Sequence, residues 1–156
     1  MQVARWPSFV FRGFGIANLI FACLGLRLLA WSLLALREKA IGNTSEHPYF
    51  LSVFWTMTSI DIVLLTLLII GGIRLLQLGA VGVVVCNLVF VAEIIYFAVL
   101  NFAFPVSRSI VAAFGPGMMA LGPQLICGYP LVALVFLNLA RRRHQTLIAV
   151  AHHTPV

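Results

Sequence analysis

The chain has 156 residues, of which 62% are hydrophobic and only 9% are charged, and its mean hydropathy is +1.08. Soluble globular domains are about 45–50% apolar and about 25% charged, so this composition excludes a soluble domain and the functions that need one. The net charge is +6, which in such a chain indicates contacts with lipid headgroups rather than with nucleic acid. We predict a single transmembrane domain over residues 1–156.

Four apolar stretches are each long enough to cross a bilayer, because about 20 helical residues span a hydrocarbon core of ~30 Å. The predicted spans cover residues 14–36, 53–73, 80–102 and 118–139. Residues 1–13 are predicted to form an interfacial segment, and residues 140–156 a basic tail. The first apolar stretch exceeds the roughly 7–15 residues of a signal-peptide core, so we expect it to be a permanent span. The predicted fold class is all-α, an integral membrane four-helix bundle with antiparallel up-down topology.

Basic residues are distributed unequally between the two sides of these spans. Six lie on one side and three on the other, namely Arg5, Arg12, Arg74, Arg141, Arg142 and Arg143 against Arg37, Lys39 and Arg108. Lys and Arg are enriched in the cytoplasmic loops of membrane proteins. We therefore predict a multi-pass protein of the cell membrane with both termini in the cytoplasm.

Three charged residues, Arg27, Asp61 and Glu93, each lie near the middle of a different predicted span. An unpaired charge at that depth costs roughly 2.5–3.5 kcal/mol. At 1.5 Å of rise per residue, all three lie roughly 3 Å to the outer side of their span centres. We therefore predict that they contact one another as a buried ion-pair cluster. Their charges sum to minus one, which leaves one carboxylate without a full partner.

Three polar residues are predicted to join this cluster. Thr58 precedes Asp61 by three residues and Tyr96 follows Glu93 by three, so each shares a helix face with a carboxyl. Gln124 is the residue of the fourth span best placed to reach the cluster. Three interpretations of the cluster are possible. It is a structural contact that sets the register of the helices, or a proton or cation site. In the third, its residues face lipid or an oligomer interface.

The fourth span is interrupted by helix-breaking residues. These residues are Gly115, Pro116, Gly117, Pro123 and Pro130. The prolines recur every seven residues, and a proline inside a helix removes an N–H donor and kinks the helix. We predict a fourth helix kinked by its prolines, preceded by a broken, interfacial or re-entrant segment over residues 105–117. Such a helix is either shaped to its neighbours or exposes carbonyls that coordinate a cation.

The sequence contains no phosphate-binding loop, HExxH motif or cofactor fingerprint. We therefore predict neither a cofactor nor a metal site, and we assign no catalytic residue. The first functional hypothesis is a homo-oligomer or an accessory subunit of a larger membrane complex, with the lipid bilayer as its surroundings. The alternatives are a proton- or cation-linked carrier of a small solute, and a membrane-embedded enzyme that acts on a lipophilic substrate.

Overall fold

All described elements of the protein are helices. A computed structural model describes residues 5–46, 49–78, 80–102, 121–126 and 128–153. The helices are α1 (Arg5–Glu46), α2 (Phe50–Leu76), α3 (Ala80–Phe102), the short α4 (Gly122–Ile126) and α5 (Tyr129–His153). The all-α prediction is confirmed for these ranges.

Three of the helices are long and apolar enough to cross a membrane, over Pro7–Leu36, Phe50–Leu76 and Val81–Leu100. They correspond to the first three predicted spans. No further helix in the described ranges meets the same requirement of length and composition. The apolar part of α5 reaches the basic residue Arg141 after about 12 residues, or roughly 18 Å. The fourth span therefore stays a prediction.

Helix α1 is longer than the predicted first span. It begins at Arg5 and ends at Glu46, so residues 5–13, which we expected to form a separate interfacial segment, belong to the same helix. Pro7 lies in the first turn, where its missing N–H donor has no intrahelical partner to lose. Single glycines in a long helix cost only about 1 kcal/mol each and do not end it. Residues 1–4 lie outside the described residues.

The buried positions of the long helices are spaced four and three residues apart. In α1 they include Phe11, Gly15, Asn18, Ala22, Gly25, Leu29 and Ser32. In α2 they include Phe50, Phe54, Met57, Asp61, Leu64, Leu68, Gly71 and Leu75. In α3 they include Gly82, Cys86, Val89, Glu93 and Leu100. This spacing is that of helices packed side by side with a small crossing angle. It places both carboxyl groups in the core of the bundle.

Glycines bring the backbones of neighbouring helices together. A Cβ atom added at Gly15 would lie 2.9 Å from the carbonyl oxygen of Gly72, so the start of α1 touches the end of α2. A Cβ atom added at Gly82 would lie 2.7 Å from the backbone nitrogen of Leu75, so the start of α3 also lies against the end of α2. These contacts require the absence of a side chain.

The predicted proline kinks of the fourth helix are not confirmed. Pro123 is the second residue of α4 and Pro130 the second residue of α5, so each stands in a first helical turn, where proline is tolerated. Between the two helices Gly128 has a φ of +64°, a left-handed conformation that glycine adopts readily. The segment is thus divided into two helices. Gly115, Pro116 and Gly117, with residues 105–117, lie outside the described residues.

The contact between Gly15 and Gly72 can be tested by two matched alanine substitutions in α1. Gly15→Ala should lower the free energy of unfolding by about 1–3 kcal/mol, because the new methyl group meets a backbone oxygen. Gly13→Ala is the control, since a Cβ atom there has nothing within 4 Å and should raise stability by up to about 1 kcal/mol. Unfolding in mixed detergent micelles measures both. Equal effects would contradict the close crossing.

Candidate functional site

The interior of the bundle contains a group of buried polar side chains. Those in the described residues are Asn18, Ser32, Thr58, Asp61, Glu93 and Gln124. The two carboxyl groups are among the most enclosed, with 4% of Asp61 and none of Glu93 exposed. Because a polar group in a membrane interior needs a partner within the protein, the contacts of these residues define the candidate site.

Asp61 on α2 contacts Tyr96 on α3. The hydroxyl of Tyr96 donates a hydrogen bond of 3.3 Å to the Met57 carbonyl oxygen and lies beside the Asp61 carboxyl. Thr58 is buried one turn before Asp61. The hydroxyl of Tyr96 therefore joins α3 to the backbone of α2 next to Asp61.

Glu93 on α3 contacts Gln124 on α4. Nε2 of Gln124 donates a hydrogen bond of 2.7 Å to Oε1 of Glu93. The other oxygens of the pair, Oε2 of Glu93 and Oε1 of Gln124, are buried and have no hydrogen-bond partner in the described part of the chain. Leaving a buried polar atom unpaired costs about 1–3 kcal/mol. Both atoms are acceptors, so a proton, a water molecule or a cation would satisfy them.

Both carboxyl groups face the core of the bundle, and Tyr96, which lies beside Asp61, follows Glu93 by three residues on α3. The two carboxyl groups form one site with Tyr96 and Gln124, which we call the carboxyl pair site. Of the six residues predicted for the cluster, Asp61, Thr58, Glu93, Tyr96 and Gln124 lie in or beside this site. The role of the site stays a prediction.

Arg27 is not part of the carboxyl pair site, and the predicted buried ion pair is not confirmed. Its side chain is exposed, whereas that of Leu29 is buried. Two residues of a helix separate these side chains by about 200° around the axis. Within the described residues, no carboxyl group forms an ion pair with Arg27. The depth estimate from the sequence contained no information about which side of α1 faces the bundle.

A second polar layer contains Asn18 and Asn87, polar residues within the first and third predicted spans. Tyr129 on α5 donates a hydrogen bond to Oδ1 of Asn18, whose Nδ2 lies 3.2 Å from Sγ of Cys86. Nearby, Nδ2 of Asn87 donates to Oδ1 of Asn138 over 3.0 Å. The sequence signal for the first contact is the position of Asn18 on the four-and-three spacing of α1. These contacts join α1, α3 and α5 without a charged group.

A groove of about 250 Å³ lies between α2 and α3, beside the carboxyl pair site. Its lining residues are Ser52, Val53, Thr56, Met57, Ile60, Tyr96, Val99 and Leu100. Ser52, Thr56 and Ile60 are exposed, so the groove opens on the outer surface of the bundle. Tyr96 lines the groove and also contacts Asp61, which connects the groove to the site.

No group of three or more His, Cys, Asp and Glu side chains comes together in the ranges that the structure describes.

Comparison with known proteins gives no relative from which a function could be inferred. The chain matches no protein-family model, no curated protein and no solved structure. The function of the carboxyl pair site is therefore argued from its own geometry.

The contact between α3 and α4 can be tested by removing the side-chain amide of Gln124. Gln124→Ala should lower the free energy of unfolding by about 1–3 kcal/mol, because a second oxygen of Glu93 then loses its donor. Gln77→Ala is the matched control, since Gln77 is exposed and accepts a 3.4 Å hydrogen bond from Arg74. The control should change stability by at most about 0.5 kcal/mol. A similar loss in both variants, measured by unfolding in detergent micelles, would count against the contact.

Proposed function

We propose that this chain is a four-span protein of the cell membrane that works within a membrane assembly, as a homo-oligomer or as an accessory subunit. The observation that carries the proposal is the exposed position of Arg27 within the candidate span Pro7–Leu36. A charged side chain inside a membrane costs roughly 2.5–3.5 kcal/mol unless it finds a partner. A neighbouring protein can supply that partner.

Contacts between the helices support the up-down topology on which the proposal rests. The start of α1 lies against the end of α2, and the ring of Phe11 in α1 lies 6.3 Å from that of His144 in α5. We take α4 and the apolar part of α5 together as the fourth span. Because basic residues favour the cytoplasmic side, we infer that both termini lie in the cytoplasm.

The length of the arginine side chain supports the need for a partner. Arg27 lies about nine residues, or roughly 14 Å of helix, before the end of the span at Leu36. A long basic side chain lowers the cost of burial when its charge reaches the membrane interface, and the arginine stem is well short of that distance. Pairing within the membrane is the remaining way to lower the cost.

Three exposed hydroxyl groups of α2 find their hydrogen-bond partners within their own helix, whereas Arg27 does not. The exposed hydroxyls of Thr56, Ser59 and Thr66 donate to backbone carbonyls one turn earlier in α2, at 2.9, 2.9 and 2.7 Å. A hydroxyl is satisfied by such a bond within its own helix. A guanidinium group carries five N–H donors and a full charge, and its own helix cannot neutralise it.

Replacing Arg27 by leucine should weaken assembly without weakening folding. In the purified protein, Arg27→Leu should leave the free energy of unfolding unchanged or raise it, because a costly charge is removed. In the native membrane the wild-type chain should migrate as a complex larger than a monomer, and the variant should shift toward the monomer. Arg74→Leu is the control, since Arg74 is exposed near the end of α2, and it should keep the complex.

Native electrophoresis of membranes extracted with a lipid-preserving polymer measures this distribution. A wild-type chain that is monomeric in its native membrane would contradict the proposal. A strong loss of folding stability in Arg27→Leu would instead indicate that Arg27 forms the buried ion pair predicted from the sequence.

The carboxyl pair site favours a second candidate function, a proton- or cation-linked carrier. Oε2 of Glu93 and Oε1 of Gln124 lack partners among the described residues, and a proton or cation would satisfy both. The groove between α2 and α3 gives this site a neighbouring opening through Tyr96. No observation on the described residues favours the membrane-embedded enzyme.

A carrier of this kind predicts that Glu93→Gln folds normally but loses proton flux. The purified protein would be placed in liposomes that contain a pH-sensitive dye, and a potassium gradient with valinomycin would supply the driving potential. We expect acidification with the wild-type chain and none with Glu93→Gln. Glu38→Gln, which removes a carboxyl group near the predicted end of the first span, should retain the flux. Equal flux in all three proteins would rule this candidate out.

A further inference from the structure

The outer face of α1 has a regular spacing of its own. Its residues are Ile16, Ile20, Cys23, Arg27, Ala30 and Leu34, which are all exposed. They follow one another at intervals of four, three, four, three and four residues, as the buried residues of the same helix do. We call this set the outer stripe. Helices pack along such a spacing, so the outer stripe is suited to one further helix.

We infer that the outer stripe binds one transmembrane helix of a different protein, and that this helix carries an Asp or Glu carboxyl group at the depth of Arg27. The inference rests on the proposed function and names the chemistry of the partner. The small residues Cys23 and Ala30 lie about one turn before and after Arg27, and small residues let membrane helices approach closely. A polar residue at one position of such a stripe also specifies the register of pairing.

A second copy of this chain does not fit the outer stripe. The sequence has four acidic residues, Glu38, Glu46, Asp61 and Glu93. Asp61 and Glu93 are buried in their own bundle, and Glu38 lies about 11 residues, or roughly 16 Å of helix, beyond Arg27. A parallel copy packed along the same stripe would place Arg27 opposite Arg27. Like charges would then oppose assembly, whereas a carboxyl group on another chain would favour it.

The test uses a synthetic membrane helix of leucine and alanine with a single Glu at its centre. Companion helices carry Gln or Leu at the centre, or the Glu near one end. Energy transfer between the labelled protein and each helix in phosphatidylcholine vesicles measures association. We expect the central Glu helix to bind about tenfold more tightly than the Leu helix, because pairing lowers the cost of the Arg27 charge in the membrane. A tenfold difference in affinity corresponds to about 1.4 kcal/mol of binding free energy.

Two variants and a chemical cross-link make the result specific to the outer stripe. Arg27→Leu should abolish the preference for Glu, and Arg74→Leu should keep it. A cysteine placed one turn from the central Glu should be linked to Cys23 by a short thiol cross-linker, whereas Cys86 is buried in the bundle and should not react.

Equal binding of the Glu and Leu helices, equal binding of the central and terminal Glu helices, or an unchanged preference in Arg27→Leu would overturn the inference. Loss of binding when phosphatidylglycerol is added would do so as well, because the headgroup of an anionic lipid would then be the partner of Arg27. If Cys23 instead links two copies of the chain, the inference fails while the proposed assembly stands. A monomeric chain in its native membrane would remove the proposed function itself.

Discussion

Hydrocarbon offers no hydrogen bonds and screens no charge, so each polar group of a membrane-spanning helix must be satisfied by the protein. The polar side chains of the described residues meet this requirement in two ways, and Arg27 is an exception. Asp61, Glu93 and Gln124 are enclosed by neighbouring helices, the exposed hydroxyls of α2 bond to their own backbone, and Arg27 does neither. The packing of the bundle and the proposal of a partner both follow from this requirement.

Helix α1 has a buried and an exposed stripe with the same spacing. The buried stripe contains small or polar residues such as Gly15 and Asn18, which allow a close backbone crossing and a hydrogen-bonded layer with Tyr129. The outer stripe contains Arg27, the charged residue in the interior of the span. One helix thereby serves two packing partners, the bundle on one side and the proposed second protein on the other. The carboxyl pair site lies on the bundle side, separated from Arg27 by α1 itself.

Much of this arrangement was predictable from the sequence, and the missing part has a physical cause. Three spans follow from length and hydropathy alone. The depth of Arg27 also follows, because it depends only on the distance to the span ends. The side on which Arg27 lies does not follow, because both stripes of α1 show the same periodicity. Gln124 was assigned to the carboxyl groups by its depth, and its amide does contact Glu93. The proline kinks predicted for the fourth helix are not confirmed. A spacing of seven residues fits one continuous helix, whereas Pro123 and Pro130 each lie at the start of a separate helix.

The central claim is that Arg27 and the buried carboxyl groups lie on different sides of α1. Asp61 is the only aspartate in the chain, so labelling aspartate with ¹³C at Cγ and arginine with ¹⁵N in the guanidinium group isolates one possible pair in the bilayer. Solid-state NMR dipolar recoupling measures the distance between the two labels. The account predicts no dephasing of the Asp61 signal by arginine nitrogen. Dephasing that corresponds to a salt-bridge distance of about 4 Å, and that disappears in Arg27→Leu, would contradict it.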